Sequence, residues 1–146
     1  MSQFIQESDY DASIHREILD ALLRHDSDVS DSTIVEICED RAIEEMRGYL
    51  DKFYDTDAIF NATGAARNQL VLMMAVDIAV YHIFCQHNPY KISQVRKDRY
   101  DRAVEWLKAV AAGKITIANA PKLDAEAAAE ASPWQIRSNI LHDTHM

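Results

Sequence analysis

Residues 67–87 read RNQLVLMMAVDIAVYHIFCQH, and the environment of this stretch decides the fold. Leu70, Val71, Leu72, Met73, Met74, Val76, Ile78, Val80, Ile83 and Phe84 leave no broad polar face, so a helix here has to be surrounded by other elements. The unbroken apolar run covers only residues 70–76 before Asp77 interrupts it, and His82 and Gln86 follow. That is short and polar beside the roughly 20 apolar residues of a bilayer span. The stretch is expected to be the central helix of a bundle.

Working outward, Ile14, Ile18, Leu19, Leu22 and Leu23 recur at helical spacing and predict a first short helix over residues 9–24, with an acidic turn at 25–28. A second helix is expected to open between Ser30 and Thr33, with Thr33 and Glu36 as a capping box, and to run to Phe53. Its stripe is Ile34, Cys38, Ala42, Met46, Tyr49, Leu50 and Phe53, while Glu36, Glu39, Asp40, Glu44 and Glu45 lie mostly off it. One face is therefore buried and another acidic. Gly48 inside this pattern costs about 1 kcal/mol relative to Ala and is expected to mark a close approach of backbones. Residues 54–66 lack periodicity and predict a packed loop with Ile59 and Phe60 turned inward.

Beyond the central stretch, Asn88-Pro89 is a stop signal. A fourth helix is predicted from Ser93 to Ala112, with Val95, Ala103, Val104, Trp106, Leu107 and Val110 inward and Gly113 as its C-terminal cap. Lys114-Ile115-Thr116-Ile117 alternates and reads as extended, and Ala118 to Pro121 as a turn. The expected fold is all-α: about four main helices around a buried central one, a helical domain over residues 1–122, and a C-terminal arm over 123–146. Trp134, Ile136, Ile140 and Leu141 make that arm too apolar for an indifferent tail and too sparse to fold alone. It either orders on a partner or packs back on its own domain.

A chain of 146 residues is long enough to bury about 70% of its unfolded surface without a metal or disulfide. Cys38 and Cys85 both fall in apolar helical patterns and read as buried reduced thiols, which points to a reducing compartment. The N-terminus carries no basic segment followed by an apolar run, so no secretory signal is expected. The net charge of −9 is uneven: 16 acids face 5 bases through Asp57, and 8 face 10 from Ala58 onward. Lys91, Arg96, Lys97, Arg99 and Arg102 concentrate the positive charge, interrupted by Asp98 and Asp101. With no DNA-reading motif around it, this cluster predicts a solvated face or a patch for an acidic protein surface, not sequence-specific nucleic-acid binding.

Signals for chemistry are sparse. His82 and Cys85 sit three apart with His87 close by, but no second Cys or His pair stands at zinc-site spacing, so no metal and no cofactor is expected. Phosphate-binding glycine loops and nucleophile elbows are absent from the sequence. Asp77 is the exception that demands an account, because a carboxylate inside an apolar helix is expensive unless paired. It is expected to be a structural buried polar group, in a salt bridge with Arg99 or Arg102 or capping a neighbouring helix; a catalytic carboxylate is the alternative.

The segments GYLDKFYD at 48–55, Ile59-Phe60 with Gly64 and Arg67-Asn68, VDIAVYHIF at 76–84 and RYDRAVEWLK at 99–108 closing on Gly113-Lys114-Ile115 resemble the short helical proteins of Mu-like phages and prophages, a family grouped with head–tail connector (adaptor) proteins. The likeness runs from about residue 4 to 118, and VDIAxYH and RYxxAxxWL are its most specific parts. It implies a structural ring subunit between portal and tail, no enzyme activity and no active-site residues to carry over. The implied partners are further copies of itself, the portal protein and a tail-completion protein, with no membrane. The implied location is the bacterial host cytoplasm during assembly and then the head–tail junction of the virion.

A ring needs two different patches of one subunit to meet on its neighbours. The acidic second helix (Glu36, Glu39, Asp40, Glu44) and the basic fourth helix (Arg96, Lys97, Arg99, Arg102) supply such a pair, with Trp134 and Ile136 of the arm as further candidate contacts. Neutralisation of the two helices within one subunit is the alternative. Competing functions are a small helical regulatory protein-binding module and, third, a metal-dependent enzyme using Asp77, His82 and Cys85.

Overall fold

A computed structural model describes residues 3–11, 31–87, 90 and 92–123. Five α-helices appear among them: α1 (Glu7–Asp11), α2 (Asp31–Leu50), α3 (Thr56–Asn61), α4 (Gln69–His87) and α5 (Gln94–Ala111), with a 3-10 turn at Gly64–Ala66. The described residues contain no strand, only one isolated antiparallel bridge between Tyr54 and Lys122. The fold is all-α, as the periodicity predicts.

α4 is the hub. α2 and α5 both pack on it and also touch each other, while α3 closes against α2. From α2, Ile34, Cys38, Ala42, Met46 and Leu50 form a buried row at four-residue spacing. α5 contributes Ala103, Leu107 and Val110, and α4 contributes Val71, Ile78, Val80 and Ile83. Length and composition alone do not exclude a membrane span, contrary to the sequence expectation, because Gln69–Gln86 is long and apolar enough for one. What distinguishes it here is its surroundings: most of that segment is buried against the other helices.

Several ends are closed by caps, of which the sequence predicts the one at Gly113. Asn68 accepts from the amides of Leu70 and Val71 and so caps α4. Ser93 accepts from the amide of Arg96 at the start of α5. At its other end Gly113 takes φ of 77°, and the bonds from Gly113 N to Val110 O and from Lys114 N to Ala109 O complete a Schellman cap. Beyond it Ile117 is buried, and its amide donates to the Tyr54 hydroxyl at 2.7 Å.

Other expectations change. α2 ends at Leu50, where the amides of Phe53 and Tyr54 both turn back to the Leu50 carbonyl. Helix is already present at Asp31, so Thr33 lies inside it and does not cap it. Residues 54–66 are not simply a packed loop: Asp55 accepts from the amide of Ala58 and starts the short α3, with Ile59 and Phe60 buried. A Cβ on Gly48 would meet nothing within 4 Å, so no backbone approaches there. Val95 is 60% exposed because it lies in the first turn of α5, before the buried stripe begins. Cys38 is buried as predicted, whereas Cys85 is exposed in the last turns of α4. α4 is also not jacketed all round: Leu70 and Met73 are 40% and 43% exposed.

The N-terminal segment is pinned from α4's approach. Arg67 pairs with Asp9 at 2.6 Å and donates to the carbonyls of Phe4 and Gly64, while Phe4 meets the Phe60 ring edge-on. Of the helix predicted over 9–24 only the start, within α1, is described; the remainder, the turn at 25–28, Asn88-Pro89, Lys91 and the arm from 124 onward lie outside the described residues.

Candidate assembly interface

The acids of α2 divide by their angle around the helix. Glu39 is buried and accepts from the Tyr10 hydroxyl at 2.7 Å. Burial pushes its carboxyl up to about 7; the Tyr10 bond pulls the other way, and Asp40, Glu36 and Asp9 add to the rise. Burial, with Glu39 beside it, likewise raises the Tyr10 hydroxyl. Glu45 sits where three helices meet: His82 of α4 lies 3.0 Å from one of its oxygens and Tyr100 of α5 donates to the other at 2.8 Å. Tyr100 stacks on Tyr81 with 3.9 Å between centroids, and burial followed by the Glu45 bond raises its hydroxyl. Asp40 and Glu44 face outward, together with Ile37, and Glu36 is half-buried. Glu39 therefore drops out of the predicted acidic face, because a hydroxyl partner draws it inside.

On the basic side the buried carboxylate finds its arginines. The Asp77 side chain is 3% exposed and accepts from Arg102 at 2.8 Å, with Arg99 at 4.0 Å. Both arginines keep substantial contact with water, Arg102 being 52% exposed. Burial and the neighbouring Arg99 lower the Arg96 guanidinium from its ordinary value, against the pull of Asp77. These charges rim a groove of about 320 Å³ between α4 and α5, floored by Leu72, Met73 and Val76 and reaching Asp9. Lys97 stands apart, because two residues before Arg99 is about 200° around a helix.

Among the described residues no ion pair joins an acid of α2 to Arg96, Lys97, Arg99 or Arg102. The two helices communicate through the Glu45–Tyr100 hydrogen bond instead. Trp134 and Ile136 lie outside the described residues. His82 is engaged by Glu45, and no group of three His, Cys, Asp or Glu side chains converges as metal ligands do among the described residues. Sequence reasoning missed the Glu45–His82–Tyr100 junction, although His82 carried the same signal as Asp77: a polar group in an apolar helix needs a partner.

Compared with known proteins, residues 4–135 match the family model described as bacteriophage Mu, Gp36. That match extends past the motifs noted above and into the segment set apart as a C-terminal arm. No curated protein and no solved structure gives a significant match. With nearly the whole length covered, the chain belongs to the bacteriophage Mu Gp36 family of phage proteins.

Proposed function

We propose that this chain is a structural component of phage assembly, a head–tail connector (adaptor) subunit that works as a ring between portal and tail and performs no chemistry. The observation that carries the reading is the family match over residues 4–135, taken with a helical core whose ionisable groups serve as ties between elements. Asp77, the one sequence candidate for a catalytic acid, is held by two arginines in the manner of a structural ion pair. Its partners on this reading are other copies of itself, the portal protein and a tail-completion protein. It assembles in the host cytoplasm and ends at the head–tail junction, without a membrane or sequence-specific nucleic acid.

The test is negative-stain imaging and native mass measurement of the purified chain, alone and mixed with the portal protein of the same phage. Rings of the chain, free or seated on the portal vertex, are expected. A compact monomer that stays a monomer with portal present overturns the reading and favours a regulatory binding module.

A further inference from the structure

The groove beside Asp77 is built differently from the rest of α4. Leu70 and Met73 are open apolar positions on a helix otherwise largely enclosed, and Val95 adds a third at the start of α5. Val95, Arg99 and Arg102 recur at four and three residues and so share one edge of α5. The groove itself has an apolar floor of Leu72, Met73 and Val76 under Arg99 and Arg102, with Asp77 and Asp9 also on its lining; Leu70 and Val95 extend the apolar surface beyond it.

The outer face of α2 has the matching character. Ile37, Asp40 and Glu44 recur at three and four residues, so one exposed apolar side chain stands in line with two exposed carboxylates, with Arg41 beside them. The two surfaces look away from each other within one subunit. α2 meets α4 at His82, through Glu45, and Met73 lies nine residues earlier, two and a half helical turns and hence on the opposite face of α4. A subunit cannot fill its own groove with its own α2, but a second copy can.

From this arrangement we infer that the α4–α5 groove receives the outer face of α2 from a second copy of the chain, Ile37 over Met73 and Asp40 and Glu44 against Arg99 and Arg102. Such a contact joins unlike patches head to tail and closes into a ring when the rotation permits. It rests on the ring-subunit reading above and names the surfaces that reading needs. Opposite charges at the rims orient the approach and make it salt-sensitive.

The experiment uses two full-length variants, each altered only at exposed positions: Met73→Glu in the groove, and Asp40→Lys with Glu44→Lys on the stripe. Thermal melts confirm that both fold. The wild type is expected to assemble, with a dissociation constant that weakens at least about tenfold as salt screens the rims. Each variant alone is expected to stay monomeric, and an equimolar mixture to give a one-to-one dimer and nothing larger, because one intact groove and one intact stripe remain. Assembly of both variants as wild type overturns this pairing and leaves the ring reading standing. Failure of both alone and in mixture also overturns it, since the contact is then not head to tail between these faces. If the variants still self-assemble but lose only the portal, the occupant is that protein and not a second copy. A wild type that never assembles, alone or with portal, takes down the ring reading and the pairing together.

Discussion

The two sides of α4 treat their polar groups in opposite ways. On the His82 side, Glu45 is shared between His82 and Tyr100, and the seam with α2 is filled by Cys38, Ala42 and Met46. On the Met73 side a buried aspartate is held by arginines whose side chains still reach water, above apolar residues that stay open. The first side spends its polar chemistry on holding helices together. The second holds a buried ion pair and leaves apolar and charged surface over, the surface that the proposed contact uses.

Truncating the two sides should sharpen that contrast most. Ile78 is fully buried, and Ile78→Ala should cost about 2–5 kcal/mol by lost burial and a residual cavity. Met73→Ala should cost less than about 1 kcal/mol, since an exposed side chain leaves no cavity. Urea unfolding of the two variants measures the gap, and equal losses would mean the Met73 side is closed as well.

The ion pair should be asymmetric. Arg102→Ala removes the 2.8 Å partner of a carboxylate that is only 3% exposed, with Arg99 at 4.0 Å still beside it, and should cost on the order of 2 kcal/mol. Asp77→Ala leaves two guanidiniums that can turn to solvent and should cost about 1 kcal/mol or less. The reverse order in denaturant unfolding would show that Asp77 is better hydrated than its burial indicates. On the other side, Glu45→Ala leaves His82 and Tyr100 half-buried without their acceptor, for an expected loss of about 1 kcal/mol.

How much of this was legible in the sequence depended on which question the residues could answer. Helical period located the buried rows of α2 and α5 and the hub itself, because a core position repeats every three or four residues regardless of its neighbours. Asp77 and its two arginines were legible for a different reason: a charge in an apolar helix has to be paired, and few cations were at hand. Depth at the flanks was not legible. Glu39 and Asp40 are adjacent acids, yet one lies under Tyr10 and the other in water, and only the course of the N-terminal segment decides which. α3 was missed because six residues are too few for a period to show, and its start rests on a cap.

The remaining contrast is the pH response of that buried acid. Because the folded chain holds the Glu39 proton up to about 7 while the ordinary carboxylate value is 4.5, the native state binds more protons across that interval. Stability from this group is therefore greatest below pH 4.5, falls as pH rises toward 7, and is flat above. Glu39→Gln should flatten the trend, with a melting temperature that gains on wild type at pH 8 relative to pH 5. A wild type whose melting temperature rises between pH 5 and 8 by an amount that the variant does not share would reverse the assignment.

The central claim, that the Met73 side of α4 is left open by the fold for another molecule, is tested most directly by hydroxyl-radical footprinting of the free and assembled protein, read at Met73 and Met74. These neighbours differ sharply, Met73 being exposed and Met74 buried. Met73 should oxidise readily in the free chain and become protected on assembly, with Met74 silent in both. Equal oxidation of Met73 before and after assembly would contradict the claim.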